Sequence, residues 1–260
     1  MKGFIPAFIA EWLKIRKTSF VWVTFIAFAL GPTMGAFILF LMGNVHPGLE
    51  GGILMEKARA MSYKVDWNSY LAIISQVVGV GGVLVFGFIA SWLFGREYSD
   101  RTAKDLLALP VSRNHILLAK FSMYFLWCMT LALSNFLLGL GLGKLIGLGP
   151  FVTSYMTLSI YVITSLLVIL LGPPIAFLAL WGQGYLVPLG FVVMMLVLSQ
   201  IIGAIGFGHY FPWALPGLYS GSAGTYKEQI NLGSYLILTV VSLAGFLAVF
   251  IHWNHADQRL

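Results

Sequence analysis

The stretch that decides the fold is Leu71 to Phe94, LAIISQVVGVGGVLVFGFIASWLF, which contains no Asp, Glu, Lys or Arg. A helix needs about 20 consecutive apolar residues to cross a hydrocarbon core about 30 Å thick. Working outward along the chain, the same criterion finds five further uncharged runs. With the first, they predict six membrane-spanning helices, at residues 20–42, 71–94, 121–142, 155–180, 185–205 and 232–253.

The overall composition supports a membrane protein. Hydrophobic residues make up 59% of the 260 and charged residues only 9%, against roughly a quarter charged in a soluble domain. All the acidic and basic residues lie outside the six runs, as expected from the cost of burying charge in lipid. The sequence therefore predicts an all-α integral membrane protein, with residues 1–260 forming a single permease-like domain.

The distribution of basic residues predicts the orientation. Ten of the 15 Lys and Arg residues lie before the first run, between the second and third, or after the last, and five lie in the alternate loops. The positive-inside rule then places both termini in the cytoplasm of a multi-pass protein of the plasma membrane. Because the net charge of +6 is dispersed over loops, it does not indicate nucleic-acid binding.

Two segments outside the spans are also apolar. Residues 4–17 place Phe, Ile and Trp at helical spacing and predict an amphipathic helix in the cytoplasmic interface. Residues 206–231 contain an apolar stretch broken by Pro212, Pro216 and Gly217, which cannot span a membrane. They predict an external re-entrant segment between the fifth and sixth spans, built from a pair of short helices.

Small residues follow two of the runs at intervals of about four. Such stripes allow close approach of membrane helices, and we expect them to be packing seams within the chain or between two copies. The members of these stripes with a predicted packing role are Gly79, Gly87, Ser91, Gly139 and Gly143.

The spans offer no chemistry for catalysis. They contain no carboxylate or lysine. His252 and His255 are three residues apart at the end of the last span, but they lack a nearby acidic partner for a metal site. Gly143-Lys144 is followed by Leu rather than by Ser or Thr, so it is not a nucleotide-binding loop. We therefore expect no catalytic or metal-binding residues. The conspicuous polar groups are Gln76, Asn135 and Gln200, each of which could line a substrate pathway or bond to a neighbouring helix.

The most informative loop is 95–115, GREYSDRTAKDLLALPVSRNH. Thr102 followed by Asp105 forms a capping box that predicts a short helix starting at Ala103, and Pro110 ends it. Ser112 is placed to cap the third span. The loop is thus expected to hold a rigid element between two membrane helices. Glu97 would tie it to the N-terminal helix through a basic residue such as Arg16.

Together, EYSDRT at 97–102, LLALPVSR at 106–113 and LLAK at 117–120 resemble the signature loop of type-two ABC exporter permeases, particularly small bacterial six-span members associated with bacitracin or lantibiotic resistance. In that family the short helix is a coupling helix that docks into the ATPase. The resemblance implies ATP and Mg on two copies of a separate ATPase subunit, and a second, identical or homologous permease. It assigns ATPase coupling to Glu97, Asp100, Arg101, Thr102, Lys104, Asp105 and Leu106.

Three functions stay open at this point. The first is a non-enzymatic permease that moves an amphipathic or hydrophobic substrate outward, such as a peptide antibiotic, a drug or a lipid-like molecule. The second is an ABC complex that protects or remodels, by extracting a peptide or handling a lipid-linked intermediate. The third is an ATP-independent channel or carrier, although carriers that conduct ions usually place charge near mid-membrane.

Overall fold

The computed structural model describes residues 3–43, 64–102, 111–222 and 230–255. Within these ranges the regular structure is entirely helical, in agreement with the predicted class. The α-helices are α1 Phe4–Arg16, α2 Phe20–Gly43, α3 Trp67–Ser99, α4 Arg113–Leu145, α5 Tyr155–Ile169, α6 Gly172–Trp181, α7 Leu186–Ala204, α8 Leu215–Ser220 and α9 Leu232–His255.

Six helical segments are long and apolar enough to cross a membrane, which confirms the predicted number of spans. They are α2, α3, α4, α5 together with α6, α7, and α9, and they range from 19 to 33 residues. The helices α3 and α4 continue well beyond the uncharged runs at 71–94 and 121–142. Absence of charge marks only the apolar part of a helix, whereas its backbone hydrogen bonds continue to the next cap.

The fourth span is interrupted, which the continuous prediction for 155–180 missed. Pro173 has no N–H to donate to the carbonyl of Ile169, so the regular ladder fails and α5 ends there. Tyr124 of α4 supplies the missing hydrogen bond through its hydroxyl, 3.1 Å from the Ile169 oxygen. A Cβ at Gly172 would collide with the Tyr124 ring. The break is therefore stabilised by a neighbouring helix.

The helix α3 forms the centre of the bundle and packs against α2, α4, α5, α6, α7 and α8. Its small residues lie where these helices approach. A Cβ at Gly87 would lie 2.7 Å from a methyl group of Val192 in α7, and one at Gly79 would lie 2.7 Å from the Pro216 carbonyl of α8. The Ser91 hydroxyl is buried and donates to the Gly87 carbonyl at 2.8 Å.

The helix α4 makes similar approaches to α3. A Cβ at Gly139 would lie 2.7 Å from Ile74 Cδ1, and one at Gly143 would overlap the Trp67 ring. Packing of helices in lipid depends on such close contact because lipid chains are as apolar as the helix surfaces. The effect of filling these spaces stays a prediction.

The two segments outside the spans each contain helix within their described residues. The helix α1 packs along α4, and the stretch after α7 forms a 3-10 turn at Gly208–Tyr210 followed by α8. The helix α8 is anchored by the buried Leu215 and Leu218, and Gly221 ends it with a φ of 88°. Interfacial placement of α1 and re-entrant placement of residues 206–231 stay predictions.

Candidate functional site

The base of the 95–115 loop is ordered on the α3 side. Arg101 adopts a left-handed φ of 58°. Its N–H donates to the Tyr98 carbonyl at 3.2 Å, and that of Thr102 donates to the Glu97 carbonyl at 2.8 Å. This pair of bonds is a Schellman motif, which satisfies the last carbonyls of a helix. The chain therefore leaves α3 in a defined direction.

The predicted coupling residues divide into two groups. Asp100, Arg101 and Thr102 are exposed at the end of α3, and the Asp100 carboxylate lies 3.5 Å from the Arg96 guanidinium. Lys104, Asp105 and Leu106 lie outside the described residues, as does the predicted helix that carries them. On the other side of the loop, Ser112 caps α4 as predicted, because its hydroxyl accepts from the His115 N–H.

Where α1 contacts the two helices that flank the loop, four charged side chains form a cluster, hereafter the charge cluster: Glu11 and Lys14 of α1, Glu97 of α3 and Lys120 of α4. Glu11, Glu97 and Lys120 are each at most 4% exposed. The Lys120 ammonium lies 2.8 Å from Glu97 Oε1, 3.3 Å from Glu11 Oε2 and 2.9 Å from the Leu93 carbonyl. All three of its protons thus have an acceptor.

Lys14 completes the charge balance. Its ammonium lies 2.9 Å from Glu11 and 3.2 Å from Glu97, so two carboxylates face two ammonium groups. Removing a charge from water costs on the order of several kcal/mol, and only well-formed ion pairs offset that cost. A displacement of α1, α3 or α4 relative to the others would break pairs, so the charge cluster favours one arrangement of the three helices.

The sequence predicted that Glu97 pairs with a basic residue of α1, and the structure confirms such a pair, but with Lys14 rather than with Arg16, the residue given as the example. The structure pairs it with Lys14 and Lys120, whereas Arg16 lies on another side of α1, beside Trp22 of α2. Lys120 is one of the basic residues outside the spans and ends the LLAK stretch, and no ion pair was predicted for it from the sequence. The available signal was its position, directly before an uncharged run and two turns inside a helix capped at Ser112.

The three candidate pathway residues do not form one site. Asn135 is 2% exposed, and its Nδ2 donates to the Phe28 carbonyl at 2.8 Å. That carbonyl lacks a helical partner because Pro32, four residues on, has no N–H. The Tyr161 hydroxyl lies 3.3 Å from Asn135 Oδ1. These contacts favour the helix-bonding interpretation of Asn135 over the pathway interpretation.

The two glutamines both lie near α8. Gln76 Nε2 is 3.5 Å from the Gly221 carbonyl, at the edge of the distance range for a hydrogen bond. Gln200 is exposed and lines a cavity of about 240 Å³ between α3, α7 and α8, which also includes Gly79 and Ser222. Of the candidate residues, Gln200 therefore has the environment most compatible with a pathway.

Comparison with known proteins agrees with the motif in the loop. Residues 7–200 match the family described as ABC-2 family transporter protein. The chain is also 29% identical over 196 residues to the bacitracin transport permease protein BCRB of Bacillus licheniformis, an alignment covering 74% of this chain and 90% of the relative. No solved structure matches the chain significantly.

Proposed function

Since the chain belongs to the ABC-2 family of transporter proteins, we propose that it is the membrane-spanning permease subunit of an ATP-driven exporter. The ATPase is a separate polypeptide that carries ATP and Mg. The observation that carries this proposal is the charge cluster, which joins α1 to the two helices flanking the 95–115 loop.

Coupling requires an element that a soluble partner can move and that in turn moves a membrane helix. A binding event shifts a protein between states only if it interacts differently with each of them. The Schellman motif at Thr102 and the cap at Ser112 anchor the loop to α3 and α4. A force on the loop would therefore act on both helices where the charge cluster holds them, and α3 would carry it into the bundle.

The orientation follows the positive-inside rule. Both termini and the 95–115 loop lie in the cytoplasm of a bacterial cell, α1 lies in the inner interface, and residues 206–231 re-enter the membrane from outside. The exposed Trp12 and Trp22 on α1 and α2 support the placement of this end at a membrane interface, where tryptophan is favoured.

The assembly contains two permeases and two ATPase subunits. The least covered spans are α7 and α9, whose most apolar windows are 22% and 28% buried within the chain. Their remaining surface must face lipid or a second permease, identical or homologous. A substrate with a large apolar part suits such a bundle. The name of the bacitracin permease relative supports a peptide antibiotic as the substrate. A drug or a lipid-like molecule would also belong to this class of amphipathic or hydrophobic substrates.

Purification from native membranes tests this proposal. We expect the tagged chain to carry an ABC ATPase in equimolar amount, and the reconstituted complex to transport only with Mg-ATP. A chain that purifies without any ATPase and conducts solute in liposomes without ATP would instead be a channel or carrier, and the proposal would be wrong.

A further inference from the structure

A cavity of about 560 Å³ lies beside the charge cluster, between the end of α1, the start of α2, the last turns of α3 and the start of α7. Its volume falls within the range of roughly 300–1,000 Å³ that is typical of ligand sites. One part of its wall is charged and the other is aromatic and aliphatic. The proposed function does not use this cavity.

The charged part of the wall holds three basic residues and one acidic residue: Lys14, Lys17, Arg96 and Asp100. Lys14 is engaged by the two carboxylates of the charge cluster. Lys17 is exposed and forms no ion pair within the described part of the chain. The Arg96 guanidinium lies over the Trp92 ring, with 4.8 Å between its carbon and the ring centre, and its Nε lies 3.5 Å from the Asp100 carboxylate.

The apolar part of the wall continues directly from these cations. Phe20 stacks on Trp92 with ring centres 5.0 Å apart, and Phe88 and Leu189 extend the surface along α3 and α7. Phe88 and Leu189 belong to membrane spans, whereas Lys17 lies in the short connection before α2. The cavity therefore places cations at one end and apolar side chains of the spans at the other, as the headgroup and acyl chains of a lipid require.

From this arrangement, and resting on the orientation in the proposed function, we propose that the cavity binds the phosphate headgroup of an anionic lipid of the inner leaflet. The phosphate lies between Lys17 and Arg96, whose planar guanidinium suits two phosphate oxygens. The first methylene groups lie along Phe20 and Phe88. Free phosphate shares the ionic contacts, but it would leave the aromatic wall unused.

Binding of single lipids to the purified chain, without its ATPase, tests the assignment. The probes are phosphatidylglycerol, phosphatidylcholine with the same acyl chains, and inorganic phosphate, titrated in neutral detergent and followed by native mass spectrometry. The informative variant is Lys17→Glu. The Lys17 side chain is exposed, and the residue caps the end of α1 through its backbone N–H, which the substitution keeps. The matched control is Lys144→Glu, an exposed lysine in the last turn of α4.

We expect the wild type to prefer phosphatidylglycerol over phosphatidylcholine. Lys17→Glu should weaken phosphatidylglycerol binding by about 30-fold, because the reversal removes a favourable contribution of about 1 kcal/mol and adds an unfavourable one of similar size. Lys144→Glu should bind as the wild type does. Arg96→Gln should also lose the preference. Equal binding of both lipids, equal losses in both charge reversals, or competition by inorganic phosphate at the same concentration as the lipid would each overturn the proposal.

The same variant separates this proposal from the proposed function. Lys17→Glu should still purify with the ATPase, because Lys17 lies outside the charge cluster. Absence of an ATPase from the wild type would contradict the proposed function and leave the lipid titration to decide the cavity's role by itself.

Discussion

Replacing Lys120 by methionine should destabilise the protein strongly, because it removes the most buried cation of the charge cluster. The side chain is 2% exposed, and methionine fills most of its volume without the charge. Glu97 and Glu11 would then share only Lys14. Breaking a buried ion pair by removing one partner costs about 3–5 kcal/mol. We expect a loss of about 3 kcal/mol in the free energy of unfolding, the lower end of that range, because each carboxylate keeps Lys14 as a partner.

Lys14→Met provides the matched comparison. Its side chain is 31% exposed and contacts the same two carboxylates, so water screens the loss. An exposed pair contributes about 1 kcal/mol or less. For a protein of about this length, each kcal/mol of lost stability lowers Tm by about 2–4 °C. A loss of about 3 kcal/mol for Lys120→Met then lowers Tm by about 6–12 °C, and a loss of about 1 kcal/mol for Lys14→Met lowers it by about 2–4 °C.

The assay is thermal unfolding in detergent, followed by intrinsic fluorescence. Adding Glu97→Gln to Lys120→Met removes the uncompensated carboxylate and leaves the neutral pair of Glu11 and Lys14, so the double variant should be more stable than Lys120→Met alone. Equal Tm losses for the two lysine variants, or strictly additive effects of Lys120→Met and Glu97→Gln, would refute the reasoning about the cluster.

Three further outcomes follow from the packing and the orientation. Asn135→Leu should lower the free energy of unfolding by about 1–3 kcal/mol, because it leaves the buried Phe28 carbonyl without a donor. Adding Pro32→Ala should recover part of that loss, because it restores a backbone N–H for the same carbonyl. An unchanged Tm for Asn135→Leu would contradict the pairing. Gly87→Leu should aggregate in size-exclusion chromatography, whereas Gly141→Leu, which faces open space, should not; a monodisperse Gly87→Leu would contradict the seam. A cysteine at Ser222, in a background without the native cysteine, should react with an impermeant thiol reagent on intact cells, and labelling only after lysis would reverse the orientation.

The sequence predicted the spans well because charge exclusion from lipid is a local property that each segment expresses by itself. It predicted the Ser112 cap for the same reason, since a cap depends on a few adjacent residues. The end of α5 was missed although Pro173 was visible, because hydropathy continues across the break. Recognising the break requires the backbone hydrogen-bond pattern rather than the apolar composition.

The charge cluster could not be assembled from the sequence in the same way. Glu11 and Lys120 are 109 residues apart, and their contact depends on how α1 lies along α4. Naming Arg16 rather than Lys14 as the example of a basic partner on α1 reflects that limit, because an isolated helix does not reveal which face packs inward. Asn135 shows the opposite case: its partner is the carbonyl that Pro32 leaves free, but only the packing of α2 on α4 brings them together.

The central claim is that an ATPase acts on this chain through the 95–115 loop, and its most direct test is ATPase retention by a loop variant. Asp105→Lys combined with Leu106→Lys changes the loop surface, and Tyr226→Lys combined with Glu228→Lys makes a matched change in the predicted outer segment. Both proteins should insert and remain monodisperse. The account predicts that the first loses the co-purifying ATPase while the second and the wild type keep it. Equimolar ATPase on the first variant, with normal ATP-dependent transport, would contradict the account.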